Sequence, residues 1–562
     1  MNVNRFQPLL LCTLGAMVFS ACGKDNDSTD TGLTDSENLP IEDDVTLEIA
    51  QGPISVENED LGAFPGWIGV PNLDDDNEDG SDDWSDLSNS VDNDLATGWL
   101  TTHGRDVALT LSGQTEQIRI YQGGALILGE GSESTHTVAG SSDPIELELE
   151  FEGFLNKGQL TVQDTERDIA FTVALTSSPL ILNHHLQPAE EVMAMEYAFS
   201  DLSNTKMIRA YTQKLGESRF INANYNKYDG DPWLQDEFEF GYMNAPDMRM
   251  DFIFDTLRNG QGRPGSGLDN FPEDQYESPD WAIGWWGQGR ANSQDYGGNL
   301  EVSPPVEVNG VQYPYGRIYY GGKAGFMPKE KTRQALDDMR IQKPFMVDPS
   351  WLCVGHVDEY STTIPDPDAP KGFRFVLADT HSAWELLDTM DPTTALPRYR
   401  GSSGHYIKNI GEIVNDSGLR SLNEEIQAIL DIEKAKFITE LGLTEEDIVY
   451  LPSLFEEPNG CGNNVASLIP GMVNLIVAEE ENGQPAIFLA DPFMRSKVND
   501  QSTDPFIAAV REIFPPSLNL HFVDDWDLYH MALGEVHCGS NVRRSGDSRW
   551  WEDATHLLED EQ

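Results

Sequence analysis

Cysteine and positive charge are scarce in this sequence. Only 5 of the 562 residues are cysteine, and Lys and Arg together number 36 against 96 Asp and Glu, which gives a formal net charge of -60. A chain this acidic repels phosphate groups, so nucleic acid is excluded as a partner, whereas cationic partners and calcium ions are favoured. After residue 22 no apolar run is long enough to cross a bilayer. Hydrophobic residues still make up 39% of the chain, which excludes wholesale disorder and allows several cores.

The longest apolar stretch lies at the N-terminus. Arg5 precedes it, and the small residues of F-S-A-C lead to Cys22. Residues 1–22 therefore resemble a bacterial lipoprotein signal peptide with Cys22 as the lipidated first residue of the mature chain; the alternative is a secretory signal cleaved near Ala21. The prediction is a protein of the bacterial cell envelope, anchored in the outer membrane by lipid and facing the periplasm or the cell surface. Residues 23–44 are predicted to be an acidic, flexible tether.

Residues 45–178 show the alternating pattern of β-strands. Runs such as V-A-L-T-L-S at 107–112 and D-I-A-F-T-V-A-L at 168–175 are separated by Gly, Ser and Asp, which predicts a β-sandwich. Within it, one acidic loop has oxygen-bearing residues at positions 1, 3, 5, 7, 9 and 12 and Gly80 at position 6, the spacing of a calcium loop. An acidic loop that only faces solvent is the alternative. The predicted ligands are Asp75, Asn77, Asp79, Ser81, Asp83 and Asp86.

Close to the C-terminus, Cys538 stands in G-E-V-H-C-G-S-N-V-R-R, between a histidine and a glycine. A thiol in such polar, electropositive surroundings can ionise and attack an electrophilic carbon, which makes Cys538 a candidate nucleophile. The alternative is a buried structural thiol in a tight turn. Since a working Cys538 must stay free, the compatible disulfide would join Cys353 to Cys461. We predict that these two are unpaired, because Cys353 lies in an apolar strand and Cys461 in a Gly/Asn loop.

Two further stretches supply an imidazole and carboxylates. In W-L-C-V-G-H-V-D-E-Y, a strand-like alternation places His356 and Asp358 on one face. In D-P-W-L-Q-D-E-F-E-F-G-Y, Trp233 and Asp236 lie on a second predicted short strand. A thiol, an imidazole and two carboxylates suit a planar cationic substrate, because carboxylates hold a guanidinium by paired hydrogen bonds while the thiolate attacks its carbon.

Residues 179–562 mix short strands with helices. The clearest helix is predicted over 421–441, where a capping box precedes an apolar stripe and Gly442 follows. Shorter helices are predicted over 329–339 and 506–514, each after a proline.

Five stretches of this part follow one another in a set order: W-L-Q-D-E-F-E-F-G-Y, F-D-T-L-R-N, G-N-L-E-V-S-P-P-V, V-G-H-V-D-E-Y and G-E-V-H-C-G-S-N-V-R-R. Together they resemble the signature motifs of the protein-arginine deiminase family, over about residues 179–551. The resemblance implies a multidomain chain, with an immunoglobulin-like β-sandwich followed by a catalytic domain over 179–562. That domain would be a five-bladed, pseudo-symmetric α/β propeller whose central active site brings Asp236, His356 and Cys538 together.

The resemblance also implies a role for each residue of these motifs. Cys538 would attack the guanidinium carbon of protein-bound arginine and expel ammonia, leaving a covalent thiouronium that water hydrolyses to citrulline. His356 would act as general acid and then as base, while Asp236 and Asp358 hold the guanidinium nitrogens. The residues expected to bind the arginine stem and the substrate backbone are Trp233 and Arg258.

Several calcium ions are implied by the same resemblance. The ligands of one site would be the side chains of Gln235, Glu239 and Glu301 and the carbonyls of Gly297 and Leu300. Those of a second site would be Glu237, Asp255, Thr256 and Asn259. Because Gln235, Glu237 and Glu239 would alternate along the strand that holds Asp236, metal on the opposite face would pull that aspartate into position. Carboxylates clustered without a cation would repel one another; the alternative is that they only face solvent.

Two positions depart from the family pattern. Gly260 and Ala532 stand where familiar members have arginine, and both differences fall on peptide recognition or gating. Beside a calcium-dependent protein-arginine deiminase, two alternatives therefore stay open: the same chemistry on free arginine or a small guanidine, and a calcium-binding surface lipoprotein without activity. The complete set of two aspartates, one histidine and one cysteine argues against the last alternative.

Overall fold

The computed structural model describes residues 44–76, 82–85, 94–200, 202–258, 266–287, 289–400 and 406–559. The chain from Asp44 onward forms one compact unit. Several predicted features lie outside the described residues: the signal segment, Cys22, the tether up to residue 43, Asn77, Asp79, Ser81, Asp86, Asn259 and Gly260. Within the described ranges, no helix is both long and apolar enough to cross a bilayer.

The described part of residues 44–178 forms one sheet of six strands and one of five. The strands are β1 (Thr46–Ile49), β2 (Gly52–Ile54), β3 (Trp67–Gly69), β4 (Ala96–Thr101), β5 (Val107–Gly113), β6 (Ile118–Gln122), β7 (Ala125–Leu128), β8 (Thr135–Val138), β9 (Ile145–Phe151), β10 (Lys157–Asp164) and β11 (Ile169–Ser177). Their orders are β2-β1-β4-β9-β6-β7 and β3-β11-β10-β5-β8. The strands predicted at 107–112 and 168–175 are confirmed as β5 and β11.

Both sheets contribute to one hydrophobic core because alternate residues of each strand point inward. Leu160 and Val162 of β10 are buried, as are Leu109 of β5 and Leu149 of β9, which belongs to the other sheet. This alternation is the physical basis of the sandwich pattern in the sequence.

The predicted calcium loop is described only in part. Asp75 is half-buried, and Asp83 is buried, with its Oδ2 accepting a hydrogen bond from the backbone N–H of Asp76 at 3.0 Å. Neighbouring Asp74 is also buried, and burial raises its pKa to about 6. Carboxylates in this state suit a cation, but the other predicted ligands lie outside the described residues, so this site stays a prediction.

From Leu180 onward the chain builds a series of small sheets. The strands are β12 (Ile181–Leu182), β13 (Ala189–Met195), β14 (Phe220–Ala223), β15 (Phe238–Ala245), β16 (Met248–Asp255), β17 (Trp281–Gly284), β18 (Leu300–Val302), β19 (Val306–Val308), β20 (Val311–Tyr313), β21 (Ile318–Gly321), β22 (Phe345–Val347), β23 (Ser361–Pro365), β24 (Phe373–Asp379), β25 (Ile448–Pro452), β26 (Phe455–Glu456), β27 (Ala466–Ser467), β28 (Ile476–Glu479), β29 (Pro485–Ala490), β30 (Asn519–Val523) and β31 (Ser540–Arg544).

Among these described strands, five sheets repeat one arrangement. A first strand runs antiparallel to a middle strand, and the middle strand runs parallel to a third. The five sets are β15-β16-β17, β18-β21-β22, β23-β24-β25, β28-β29-β30 and β31-β13-β14. The last set joins the C-terminal strand to two strands from the beginning of this part, so the two ends of this part share one sheet.

The helices of the described part are α1 (Thr205–Leu215), α2 (Leu234–Glu237), α3 (Phe271–Tyr276), α4 (Glu330–Asp338), α5 (Thr380–Thr389), α6 (Ile410–Val414), α7 (Ser417–Leu441), α8 (Pro505–Ile513) and α9 (Trp550–Asp553). The predictions at 329–339 and 506–514 are confirmed as α4 and α8. The third predicted helix, α7, ends before Gly442 as expected, with Gly442 at φ 60°. It begins earlier than predicted because the side chain of Asp416 caps it by accepting a hydrogen bond from Leu419 N.

Cys353 and Cys461 form a disulfide, so the prediction that they are unpaired is wrong. The segments that carry them run side by side: Cys353 N donates to Val465 O at 2.8 Å, and Val465 N donates to Trp351 O at 3.0 Å. This pairing brings the two Cα atoms to 5.4 Å although the cysteines are 108 residues apart in sequence. Cys538 is a free, buried thiol.

Candidate active site

Each of the five repeated sheets has a polar or glycine residue just before its first strand. Asp236 lies in α2, immediately before β15; Gly298 lies in a turn before β18; and Asp358 lies in a turn before β23. Asn474 precedes β28 by two residues, and Cys538 precedes β31 by two residues. The contacts described next show that these five residues meet at one site.

The segment that holds Asp358 is a turn and not the predicted strand. Val357–Glu359 forms one 3₁₀ turn. The cause is Glu359, whose Oε1 accepts hydrogen bonds from the backbone N–H of Gly355 at 3.0 Å and of His356 at 2.8 Å. Satisfying both donors fixes the turn that presents His356 and Asp358.

The segment that holds Asp236 also differs from the prediction. Leu234–Glu237 forms the single helical turn α2, so Gln235, Glu237 and Glu239 do not alternate along one strand as predicted. Residues four apart approach each other across a helical turn, and Gln235 Nε2 donates a hydrogen bond to Glu239 Oε1 across the junction with β15.

The Cys538 thiol is held beside a carboxylate. Cys538 is 5% exposed, and its Sγ lies 3.6 Å from Asp358 Oδ2. Asn474 links the two residues, because its Oδ1 accepts from Cys538 N at 3.1 Å and its Nδ2 donates to Asp358 O at 3.2 Å. Burial raises the pKa of the Cys538 thiol well above its usual range, and the charges of Asp358 and Asp236 raise it further. The thiol therefore keeps its proton at neutral pH unless positive charge comes near these carboxylates.

His356 is buried and oriented by both ring nitrogens. Its Nε2 lies 2.8 Å from Ser293 O, and since a carbonyl oxygen only accepts, Nε2 carries a proton and donates it. Its Nδ1 lies 3.5 Å from Asp236 Oδ1. The imidazole is thus held with one nitrogen facing the active-site carboxylate, where it can exchange a proton.

Gly298 marks the point where three of these side chains meet. A methyl group at its Cα would lie 2.7 Å from His356 Nδ1, 3.0 Å from Asp236 Oδ1 and 3.2 Å from Asp358 Oδ2. Side chains from the segments before β15 and β23 therefore surround a glycine that precedes β18 and leaves room between them. Because Cys538 contacts Asp358, the structure brings together all four predicted catalytic residues.

Arg258, predicted to bind the substrate backbone, lies among acidic side chains. Its Nη1 and Nη2 atoms each lie 2.9 Å from a carboxylate oxygen of Asp231, Nη1 also donates to Glu237, and Nε is 3.7 Å from Asp236 Oδ2. Burial raises the pKa of Asp236, while His356 and Arg258 oppose this shift. Arg258 thus neutralises part of the acidic cluster, and contact with a substrate stays a prediction.

Trp233 and a small cavity both adjoin Gly534. A methyl group on Gly534 would collide with the Trp233 ring, 2.3 Å from Cζ3, so Trp233 packs directly on this loop. The cavity has a volume of ≈ 10 Å³, about the space of one water molecule, and its lining includes Asn474, Glu535 and Cys538. Ala532, where the family pattern has arginine, is exposed.

Most residues of the first predicted calcium site lie together. A methyl group on Gly297 would be 2.1 Å from Gln235 O and 3.3 Å from Glu239 Oε1, which places Gly297 beside both residues. Leu300 and Glu301 begin β18, and Glu301 Oε1 is buried without a hydrogen-bond partner. Burial raises the pKa of Glu239 and of Glu301 well above the usual range, and like charge raises both further. A calcium ion would remove this repulsion, so the residues present fit the metal.

The second predicted calcium site is described except for Asn259. Glu237, Asp255 and Thr256 are buried, and Thr256 N donates to Glu237 O at 2.8 Å. Burial raises the pKa of Glu237 to about 8. Asp269, not predicted from the sequence, is also buried, and its Oδ1 lacks a hydrogen-bond partner. These oxygen donors also suit a hard cation.

Comparison with known proteins identifies the family. The family model of protein-arginine deiminases (PAD) matches residues 168–552, which is more than half of the chain. The chain belongs to the protein-arginine deiminase family.

Human relatives of this deiminase-family chain match it over about the same length as the family model does. Protein-arginine deiminase type-4 from Homo sapiens is 33% identical over 396 residues, covering 68% of this chain and 56% of that protein. The human type-1 protein is 32% identical over 396 residues with the same coverage, and the human type-3 protein is 30% identical over 443 residues, covering 75% of this chain and 63% of that protein. The chain therefore spans somewhat more than half the length of the curated relatives it matches.

In this deiminase-family chain, several site residues escaped prediction from the sequence. Asn474 ends the sequence G-M-V-N at 471–474, outside the five quoted stretches, and His537 stands directly before Cys538. His537 Nδ1 donates to Asp358 Oδ2 at 2.9 Å. His537 lies inside one quoted motif stretch and Gly298 begins another, G-N-L-E-V-S-P-P-V, which was the available signal for both. The role of Gly298 as a residue without a side chain is visible only once its neighbours are placed.

Proposed function

We propose that this family member hydrolyses the guanidinium group of protein-bound arginine to citrulline and ammonia in a calcium-dependent reaction. The observation that carries the proposal is a pair of buried acceptors: Asp236 Oδ1 and Asp358 Oδ1 both lack a hydrogen-bond partner. A guanidinium brings five N–H donors in one plane and one positive charge. It would satisfy both oxygens and offset their charge next to the Cys538 thiol.

The chemistry follows from that placement. A substrate cation between Asp236 and Asp358 counteracts the charges that raise the pKa of Cys538, so the thiol passes its proton to His356. The thiolate sulfur bonds to the guanidinium carbon, and the carbon–nitrogen bond breaks as His356 returns the proton to the departing ammonia. Water then adds to the thiouronium carbon while His356 accepts a proton. The carbon–sulfur bond breaks, which leaves citrulline and the free cysteine.

Two calcium ions fit the catalytic region. The residues that would hold the first are Gln235, Glu239, Glu301 and the carbonyls of Gly297 and Leu300. Those for the second are Glu237, Asp255, Thr256 and Asn259. Calcium, when bound, neutralises these carboxylates and rigidifies their side chains. Since Gln235 and Glu237 flank Asp236 within α2, restraining these two fixes the backbone that carries the aspartate.

The proposed architecture is an immunoglobulin-like sandwich over 45–178 and a five-bladed, pseudo-symmetric α/β propeller over 179–562. The repeated strand arrangement of the five sheets and the pairing of C-terminal β31 with β13 support the propeller. The proposed N-terminus is a lipoprotein signal with Cys22 as the lipidated residue, supported by the sequence. Labelling with a radioactive fatty acid should tag the wild type, and equal labelling of Cys22→Ser would contradict the anchor.

One observation favours a second candidate, a deiminase acting on free arginine or a small guanidine. Arg258, the arginine expected to contact a peptide backbone, is engaged by Asp231 and Glu237.

Citrulline release from an arginyl peptide, free arginine and agmatine, each with and without calcium, separates the candidates. Release from the peptide alone, and only with calcium, supports the proposal. Release from the small guanidines supports the second candidate. No release from any substrate indicates a calcium-binding lipoprotein without activity. Cys538→Ser is the control that must abolish every signal attributed to the site.

A further inference from the structure

A group of metal-binding side chains lies beside the active-site carboxylates. Within the described ranges, His185, Glu301 and His537 offer ligand atoms that all lie within 4.8 Å of one another. His185 Nε2 is 3.3 Å from Glu301 Oε2, and His537 Nδ1 is 3.9 Å from Glu301 Oε1. We propose that these three residues bind a zinc-class divalent cation and that this ion opposes calcium at Glu301.

The surroundings orient these ligands toward one another. His185 Nδ1 is hydrogen-bonded to Thr362 Oγ1 at 3.0 Å, which turns Nε2 toward Glu301. A partner on the second ring nitrogen is the usual way in which proteins fix a metal-binding histidine. The two imidazole rings lie 4.9 Å apart edge to face, and Glu301 Oε1 is buried without a hydrogen-bond partner. An acceptor oxygen left in this state near two imidazoles is a place for a cation.

The ligand atoms lie close enough for small side-chain shifts to close them around a tetrahedral ion. Zinc lies about 2.0 to 2.2 Å from its nitrogen and oxygen ligands, so two ligands of one ion are about 3.4 Å apart. The 3.3 Å between His185 Nε2 and Glu301 Oε2 matches this spacing. The 3.9 Å contact of His537 Nδ1 is with the other carboxylate oxygen, Oε1, and the three ligand atoms lie within 4.8 Å of one another, so the side chains must draw together by up to about 1.4 Å around one ion. Three protein ligands leave the fourth position for water.

The ligand types select the metal. Imidazole suits zinc, cobalt and similar ions, whereas calcium requires six to eight oxygen ligands. The new site therefore differs in its metal class from the proposed calcium site, although both use Glu301. Because the two cations would share the charge of one carboxylate and repel each other at short distance, binding at either site weakens the other, and this antagonism is reciprocal.

Metal binding would also affect the position of a catalytic residue, Asp358. His537 Nδ1 donates to Asp358 Oδ2 at 2.9 Å, and a metal bound to that nitrogen removes this hydrogen bond. Asp358, which lies against the Cys538 thiol, then loses a positioning contact. The zinc-loaded form should therefore be less active than the calcium-loaded form. This effect on activity rests on the proposed function, whereas zinc binding itself does not.

The binding test uses cobalt(II) as a spectroscopic substitute for zinc, with the full chain freed of calcium. We expect the strong visible absorption of tetrahedral cobalt(II), with one such ion bound per chain. Cobalt(II) in six-coordinate oxygen sites absorbs only weakly. His185→Asn should weaken cobalt and zinc binding by about tenfold or more. The matched control is His521→Asn, which removes another half-buried histidine that pairs with a glutamate, Glu480, and should leave binding unchanged. Equal binding by His185→Asn and the wild type would overturn the site.

A second measurement needs no substitution and therefore does not depend on how the variants fold. Crystals soaked in zinc should give an anomalous scattering peak between His185, Glu301 and His537, and a zinc-soaked crystal without this peak would overturn the proposal. Calcium titrations of citrulline formation should shift to higher calcium when zinc is present, in the wild type and in His521→Asn but not in His185→Asn. If calcium has no effect on activity while the zinc peak is found, the proposed function fails and the zinc site stands.

Discussion

Gly298→Ala probes the meeting point of the catalytic side chains. The added carbon would lie 2.7 Å from His356 Nδ1 and 3.0 Å from Asp236 Oδ1, whereas such atoms in ordinary contact are about 3.5 Å apart. His356 must therefore move by roughly 0.8 Å, with smaller shifts of the aspartate. Misplacing a catalytic group by about 1 Å costs about 100-fold in rate, or about 2.7 kcal/mol of transition-state stabilisation. We expect kcat/KM for citrulline release from an arginyl peptide to fall by about that factor.

Gly153→Ala supplies the matched control. A methyl group there would have its nearest neighbour, Asn156 Oδ1, at 3.8 Å, so the same chemical change meets ordinary contact distances. Gly153→Ala should melt close to the wild type, and Gly298→Ala, which crowds its neighbours, should lose about 1 to 3 kcal/mol of unfolding free energy and still fold. Wild-type kcat/KM in a folded Gly298→Ala variant would refute the placement of His356, Asp236 and Asp358 around this glycine.

Three further expectations concern the support of the nucleophile, its ionisation and the disulfide. Asn474→Ala removes hydrogen bonds to Cys538 N and Asp358 O, which are worth about 2 kcal/mol together. We therefore expect kcat to fall about 30-fold with little change in KM. An unchanged kcat in steady-state kinetics would contradict this role. The raised pKa of Cys538 makes its thiolate a minor species at neutral pH. The rate of inactivation by iodoacetamide without calcium should therefore rise about tenfold for each unit of pH increase, as long as the pH is below that pKa. A rate independent of pH would show that the thiol is already ionised. Replacing Cys353 and Cys461 by serine opens a loop of 108 residues. The free energy of unfolding, measured by denaturant titration, should fall by about 2 to 4 kcal/mol. Unchanged stability would mean that the disulfide constrains the unfolded chain little.

The sequence motifs predicted which side chains meet but not the backbone that presents them. A period-two pattern over a few residues suggested a strand at His356 and Asp358. The observed turn depends on Glu359, whose carboxylate satisfies two backbone donors. Such a contact competes with strand geometry and leaves no mark on hydrophobic periodicity. The single helical turn at Leu234–Glu237 was missed for a similar reason, since a short segment carries too little pattern.

Features that depend on contacts between distant parts of the chain could also not be predicted from the sequence. The disulfide depends on two loops that run side by side at Cys353 and Val465. Asn474 acts through its distance to Cys538 and Asp358, and three separate segments had to be placed before that role was visible. In contrast, the alternating strands of the sandwich and the end of α7 at Gly442 follow from local rules that operate within a few residues.

The central claim is that Cys538 forms a covalent bond with the guanidinium carbon of arginine. Acid quenching of the calcium-loaded protein during turnover of an arginyl peptide, followed by digestion and mass spectrometry, measures this bond directly. We expect the fragment that contains Cys538 to carry the mass of the peptide less ammonia, and we expect no adduct and no citrulline from Cys538→Ser. An adduct on a different residue, or citrulline formation by Cys538→Ser at the wild-type rate, would contradict the account.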